Sequence, residues 1–599
     1  MEAGPPYPYY GGMWDWWFFM DLGQVNKLSY AYSLIKDTDA FEQLSRQTGV
    51  NVREKIVEGM FLQSVEFIRT YSNRRTNMDF HIWRGLVEMG KAIDRPDLVH
   101  EGMERLAAFV ANEYFFDGFY KEITYSYHTQ SVNGNNAVIG LLNGWTDPKG
   151  FVSQRTGIRL ENLNMGAQYP ILQDSQDLMR DLTYPDGMYV PIQDTWAWGK
   201  RAADPNAGSL LMPASGIARM VKGLGVNQSQ LYMTFTSKYG HNHYDPLNLT
   251  LYSHGQELLP DLGYTYTKYR NWASSTMGHN TVVVDAQNMQ LNGESQKGGR
   301  LESFIEVDDT LQIMEASQAN AYSNVDEYSR QPWFIGFEDG AENEGYVIDI
   351  FRVSGGESHE YTLHGDANRD ALFETDLLLT DYGPYLLPEG TEVVLPEEST
   401  DQGSAGNEYY GYIYLRDVKQ AELTGNTYSL NLKTNDSGVE RSGLKITGLL
   451  EPGQNELFLA RSPSIRNTRV SNIDTNDRAD DYTMPKYVLR REGTDLKSTF
   501  VTVLEPYAAG SSACIQQVER MTLDQGQDSD VAVMVTYGNI TDIILSSSQK
   551  TDQALVVGNI ALHGKKGFIR LVDGAVTKMN LIDGTSLKYG DLEVGGEGA

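Results

Sequence analysis

Four of the ten histidines in this 599-residue chain fall in the stretch Tyr239–Asp285, and three of them, His241, His243 and His279, stand out together with Asp261. His243, Asp261 and His279 offer two imidazole nitrogens and a carboxylate. That set suits one divalent ion of the zinc or manganese kind. Zinc is expected ahead of manganese or calcium, although the ligand types alone do not decide between them. In a His-x-His pair on a strand, both side chains point to the same face. One can then bind metal while the other faces a substrate. A single histidine at a strand end is more often a hydrogen-bonded structural residue. Two at i and i+2, then an aspartate, then a third histidine, all beside glycine turns, shift the balance toward a site.

The elements that must position these residues are short strands. After His243, Leu247, Leu249 and Leu251 alternate with Asn248, Thr250 and Tyr252, the period-2 signature of a half-buried strand. Gly255 makes a turn into a second strand, Glu257-Leu258-Leu259, closed by Pro260. A third is expected at Val282-Val283-Val284. The histidines therefore lie at strand ends, where side chains from neighbouring strands converge.

The stretch resembles the heparinase II/III-like polysaccharide lyases, a group that includes heparin, heparan and alginate lyases. The resemblance rests on His241-Asn242-His243, on Asp261-Leu262-Gly263 and on Gly278-His279-Asn280-Thr281-Val282. It covers the middle of the chain, with a weaker match on either side. It implies a structural metal on His243, Asp261 and His279, and a catalytic role for His241.

Two segments of the N-terminal half extend the resemblance. Asp117-Gly118, then Glu122, then Tyr127-His128 is similar to the family segment that carries the catalytic tyrosine, which implies that role for Tyr127, with Tyr125 or Tyr120 as alternatives. The other segment, Asn73 to His81, opens a helix. There Asn77 can cap the helix, or Asn77 and His81 beside a helix N-terminus can bind a carboxylate. The family often has Asn and His adjacent, whereas here they are separated. Arg75, His128 and Tyr239 are the expected substrate contacts, with Trp14 and Trp16 from an aromatic N-terminal run that includes Tyr7, Tyr9, Tyr10, Trp17, Phe18 and Phe19. That run either packs a helix start or offers ring faces to sugars.

The implied chemistry is β-elimination from a uronic acid. Removal of the weakly acidic C5 proton requires donors that stabilise charge developing on the carboxylate. A base takes the proton and an acid protonates the departing glycosidic oxygen. Tyr127 can do both on one face of the sugar, and His241 can be the base for the opposite epimer. No water attacks, so no pair of catalytic carboxylates is needed. A non-catalytic carbohydrate-binding protein and a glycoside hydrolase are the other readings.

Helical periodicity runs through the first third of the chain, at 57–68, 83–90 and 103–110, with further helices expected near 21–36, 135–144 and 168–182. Strand patterns separated by Gly, Asn and Asp turns follow to the C-terminus. The expected fold is therefore α+β multidomain. An α/α toroid at 1–205 precedes a central antiparallel β-sandwich at 206–506 and a C-terminal β domain at 507–599. The helices that fit before residue 205 are fewer than the family's toroid usually has, which implies a partial or truncated toroid. A substrate groove is expected where helical and sheet domains meet, and 396–408 is expected to be an exposed loop.

Composition narrows the partners. Net charge is −31, and no basic stripe suggests nucleic acid. No apolar run is long enough to span a bilayer. The single cysteine, Cys514, excludes an intrachain disulfide, which fits a cytosolic protein or a bacterial secreted one. The start MEAGPPYPYY lacks the parts of a leader peptide. A removed leader or a start inside a longer protein fits equally. With the resemblance, a secreted or periplasmic location is expected. The 49 Lys and Arg form no dense cluster. That leans toward alginate, which carries only carboxylates, over heavily sulfated heparin; heparan sulfate, chondroitin sulfate, hyaluronan and glucuronan also fit, so a glycosaminoglycan lyase of the same mechanism is the alternative. Oligomeric state is not legible.

Overall fold

The computed structural model describes residues 11–595 except 16, 72–74, 205, 236–239, 242, 291–298, 339, 341–343, 394–410, 471, 482 and 549–552. Trp16, Tyr239, Asn73, Arg74, Tyr7, Tyr9, Tyr10 and the expected loop at 396–408 lie outside the described residues. The chain divides into two compact units, Met1–Asp181 and Leu182–Ala599. Helices at the N-terminus are followed by antiparallel sheets, the α+β arrangement expected.

The helix Phe80–Ala92 is central to the first unit. It packs against Asp21–Ile35, Pro96–Glu113 and Tyr125–Leu142. Ile82, Trp83, Leu86, Val87 and Met89 recur at helical spacing and are buried. Pro96 starts its helix at a position where the missing N–H costs nothing. The apolar run at 57–68 is one continuous helical rod that widens into a π-turn over Val57–Leu62 before Gln63–Arg69. The helix expected near 135–144 begins earlier, at Tyr125. Thr124 is its N-cap, its hydroxyl accepting the Tyr127 N–H at 3.1 Å.

The second unit is layered. A five-stranded meander runs through Leu210–Met212, Ile217–Lys222, Ser229–Thr234, Asn248–Ser253 and Gln256–Leu259. An eight-stranded sheet has Lys497–Tyr507, Gly345–Ser354 and Glu327–Gly336 at its middle, and a six-stranded sheet ends on the short edge strand Val282–Val284. A further sheet spans 517–595. Along Gly345–Ser354, alternate residues serve different cores. Val347, Phe351 and Val353 join Leu249, Leu251 and Leu363. Tyr346, Ile348 and Ile350 join Val533, Ile544 and Phe568 of the 517–595 sheet. Both faces of the eight-stranded sheet are thus covered.

The strand after His243 departs from the half-buried expectation. All six residues of Asn248–Ser253 are buried, because its polar face is covered too. The His-x-His geometry also differs. His241 and His243 precede the strand, and His241 sits in the left-handed region with φ 51°, so strand alternation does not set its direction.

Candidate active site and metal centre

His243 and Asp261 flank the five-stranded meander, at the approach to Asn248–Ser253 and just past Gln256–Leu259. His279 precedes Val282–Val284, the edge strand of a different sheet. Asn280 joins the two sheets. Its side-chain amide donates to the Leu249 and Pro260 carbonyls at 2.9 and 3.0 Å, and its side-chain oxygen accepts the His364 N–H at 2.8 Å. The side-chain oxygen of Asn248 accepts the Asn280 N–H at 2.9 Å, and its amide donates to Asp261 Oδ2 at 2.8 Å. The glycine of the Asp-x-Gly motif is needed for close approach. At φ 77°, a Cβ on Gly263 would stand 2.4 Å from the Thr195 carbonyl oxygen.

The three expected ligands converge, all buried, with their ligand atoms within 4.8 Å of one another. His279 Nδ1 donates to the Ser275 carbonyl at 2.7 Å, so the lone pair of the neutral ring lies at Nε2. His243 Nε2 lies 3.1 Å from Asp194 Oδ1, which puts its lone pair at Nδ1. These two inward nitrogens are 3.2 Å apart, and Asp261 Oδ1 is 3.7 Å from His279 Nε2. Two ligand nitrogens on a tetrahedral zinc ion stand about 3.3 Å apart, so the residues fit a small divalent cation. A buried carboxylate oxygen without a hydrogen-bond partner, Asp245 Oδ2, stands near them, and burial together with the Asp261 charge raises the Asp245 carboxyl. Burial would raise the Asp261 carboxyl, but the charge and hydrogen bond of His279 outweigh it and hold it low. Burial likewise opposes protonation of His279, yet Asp261 and Asp245 raise it.

Two residues that sequence reasoning missed complete the site. Gln193 accepts the His243 N–H through Oε1 and donates to Asp245 Oδ1 at 3.0 Å. Asp194 donates its N–H to the His241 carbonyl at 3.1 Å, and its carboxylate lies 3.1 Å from His241 Nδ1 and accepts from Arg270 Nη2 at 3.3 Å. Hydrogen bonds from both histidines, with the Arg270 charge, hold the Asp194 carboxyl low against burial that would raise it. Arg270 in turn lies over the Tyr264 ring, 4.4 Å from its centroid. Gln193 and Asp194 stand in coil far upstream of the motif, with no periodicity or turn signal of their own.

The first unit holds the other expected residues. Of the three candidate tyrosines, Tyr127 keeps the most exposure, 9% against 0% for Tyr120 and 1% for Tyr125. Tyr125 donates its hydroxyl to the Met179 carbonyl at 2.7 Å. The Tyr127 ring packs in the helical core. Asn77 reaches the same helix, donating to Gln130 Oε1 at 2.9 Å, one turn beyond Tyr127. It is not the cap of its own helix: Asp79 holds that position and accepts from Thr76. His81 lies in the first turn, against Phe80, and burial and Arg84 lower its affinity for a proton. Trp14 is partly exposed and donates its indole N–H to Ser64 Oγ at 2.7 Å. The Arg75 guanidinium is paired with Glu113 at 3.1 Å. His128 departs from its expected role as a substrate contact. It is fully buried, with Nδ1 accepting the Tyr120 N–H at 3.1 Å and Nε2 donating to the Ser175 carbonyl at 2.7 Å. Such a ring braces the chain and presents nothing to a ligand.

Comparison with known proteins agrees with the motif. Residues 204–380 match the family model described as heparinase II/III-like, C-terminal, so this segment is a heparinase II/III-like C-terminal domain. An alginate lyase of Stenotrophomonas maltophilia (strain K279a) is 29% identical over 140 residues, which is 21% of this chain and 18% of that protein. An exo-oligoalginate lyase of Saccharophagus degradans is 22% identical over 380 residues, 58% of this chain and 46% of that one. The chain thus spans less than half the length of these relatives. Among solved structures, a heparan sulfate lyase of Pedobacter heparinus superposes with a TM-score of 0.57 at 15% identity, covering 88% of this chain and 74% of that one. A heparinase III structure gives 0.59 at 14% identity, covering 90% and 77%. At these identities the likeness is one of fold. No helix among the described residues is long and apolar enough to cross a membrane.

Proposed function

We propose that this chain is a polysaccharide lyase that cleaves a uronic-acid-containing anionic polymer by β-elimination. The observation that carries the reading is the juxtaposition, inside a heparinase II/III-like domain, of an aspartate-held histidine, His241, with the cluster His243–Asp261–His279. In the neutral ring, Asp194 at Nδ1 leaves the lone pair of His241 at Nε2, where it can take a proton from carbon. Tyr127 is assigned the second proton-transfer role, as acid toward the leaving oxygen and base for the other epimer. Asn77 and His81 are assigned to the substrate carboxylate, where a donor is felt most as the enolate-like charge develops. With its depressed proton affinity, His81 acts there as a neutral hydrogen-bond donor. Trp14 and Arg75 are assigned to substrate binding, and Trp16 and Tyr239 keep the assignment made from sequence. His128 is assigned a structural role. A divalent ion held by His243, Asp261 and His279 would supply fixed positive charge that locks the loops bearing His241; zinc suits the donors best.

Alginate is the favoured substrate. The relatives that share sequence with this chain are named alginate and exo-oligoalginate lyases, and the cationic residues form no dense cluster for sulfate. A secreted or periplasmic location follows from such a substrate. The test is a panel of poly-mannuronate, poly-guluronate, heparan sulfate, chondroitin sulfate and hyaluronan, followed by the ultraviolet absorbance of the unsaturated uronate that only elimination makes. New reducing ends without that absorbance would mean hydrolysis, and binding without either would mean a carbohydrate-binding protein.

A further inference from the structure

We propose that Asp194 is a positioning residue that sets the ring state of both motif histidines at once, and that Arg270 fixes which carboxylate oxygen serves which ring. The activity part of this inference rests on the lyase reading; the ring states and the metal affinity do not.

The two oxygens of the carboxylate are used differently. Oδ1 faces His243 Nε2 at 3.1 Å, while Oδ2 faces His241 Nδ1 at 3.1 Å and Arg270 Nη2 at 3.3 Å. An acceptor at a ring nitrogen selects the tautomer with the proton there. The same side chain therefore makes opposite choices in two rings. His241 becomes the Nδ1–H form, and His243 becomes the Nε2–H form with its lone pair at Nδ1, toward His279. The backbone supports this arrangement. Asp194 N–H holds the His241 carbonyl at 3.1 Å, across a residue in the left-handed region. On the other side, Gly263 and the Tyr264 N–H, the latter 2.9 Å from the Thr195 carbonyl, close against the loop that carries Asp194. Asp194 is thus clamped by the segment that bears the ligand Asp261 and holds the segment that bears the ligand His243. A carboxylate needed only to neutralise Arg270 would not require contact with both rings.

Asp194→Asn separates these roles, because the variant keeps the shape but has only one acceptor oxygen. Two donors, His241 Nδ1–H and Arg270, favour that oxygen on their side. The amide NH2 must then face His243 Nε2 and drive its proton to Nδ1, toward His279. The expected result is asymmetric. In long-range ¹H–¹⁵N spectra of the histidine-labelled, metal-free protein at pH 8, His243 changes tautomer and His241 keeps Nδ1–H. Zinc affinity of the whole chain, from competition with a chromophoric chelator, falls about 10–100-fold, the usual effect of losing a partner behind a ligand. In Asp194→Ala both rings lose their selected state, and zinc affinity falls at least as far. Near-ultraviolet circular dichroism of each variant verifies the fold, and the isosteric Asn variant carries the test if the Ala variant does not fold. Unchanged tautomers for both rings would overturn the proposal, as would unchanged zinc affinity in a wild type that binds zinc. If the wild type binds no zinc, the metal assignment fails by itself and the tautomers still decide the role of Asp194. If no polymer is cleaved, the lyase reading fails and both measurements stand.

Discussion

Removing one fully buried carboxylate, Asp349, should loosen the loops around His243, Asp261 and His279 and the fold together. Arg330 and Asp349 are fully buried and paired through two bonds, Nε to Oδ1 at 2.9 Å and Nη2 to Oδ2 at 2.6 Å. Tyr361 donates its hydroxyl to the same Oδ2 at 2.7 Å. The remaining Arg330 nitrogen, Nη1, donates to the carbonyls of Leu247 and Asn280, next in sequence to His279. Asp349→Ala leaves a buried guanidinium without its counter-charge and the Tyr361 hydroxyl without its acceptor. Breaking one side of such a pair costs about 3–5 kcal/mol. For a unit of roughly 400 residues, the unfolding entropy near the midpoint is about 0.9 kcal/mol per degree. The expected fall in the thermal midpoint of the sheet unit is therefore about 3–6 °C. The double variant Arg330→Met, Asp349→Leu removes both charges and should be milder than the single change. Scanning calorimetry of wild type, single and double variants checks this. A midpoint within about 1 °C of wild type for Asp349→Ala, or a double variant worse than the single, would refute the argument that the unpaired buried charge dominates.

The other expected outcomes concern the assigned chemistry and pH. Tyr127→Phe should lower kcat by about 10²–10⁴-fold with little change in thermal midpoint; a lower midpoint with activity kept would mean the ring only packs. His243→Ala should abolish bound divalent metal in elemental analysis of the purified protein, and equal metal content in both proteins would sink the site. His359 donates to the Gly355 carbonyl and meets Ser498 Oγ, and burial pushes its proton affinity down to about 4. Its folded value lies below its unfolded one, so its contribution is complete above about pH 6.5 and is lost as pH falls toward 4, about 3 kcal/mol in all. Thermal midpoints of wild type and His359→Gln from pH 7.5 to 4.5 should therefore converge as pH falls; parallel curves would contradict this.

The convergence of His243, Asp261 and His279 could be anticipated from sequence because metal chemistry restricts residue type, glycine marks the turns that bring strand ends together, and the family resemblance singles out the same three residues. What lay outside reach was whatever depends on contacts between distant segments. Alternation at Asn248–Ser253 reported which side chains are polar, but not that the polar face is also covered. The tautomers of His241 and His243 depend on Asp194, which no spacing rule connects to them. A histidine's letter does not disclose that main-chain groups already use its nitrogens, as at His128. The helix that begins at Tyr125 escaped because its first turn is written in tyrosines and capped by a threonine outside the apolar pattern. His241 left the strand geometry expected of a His-x-His pair because its backbone turns left-handed before the strand begins.

The ligands come from two sheets, and the chain's only cysteine is exposed and free. A cation across His243, Asp261 and His279 would therefore do the work that secreted proteins commonly give to disulfides. It would close long loops and tie separate sheets together. Such a clasp is indifferent to thiol reductants and sensitive to chelators. It opens where protons compete for imidazole, so the durability of such a fold would be governed by trace-metal supply and acidity instead of by oxidants.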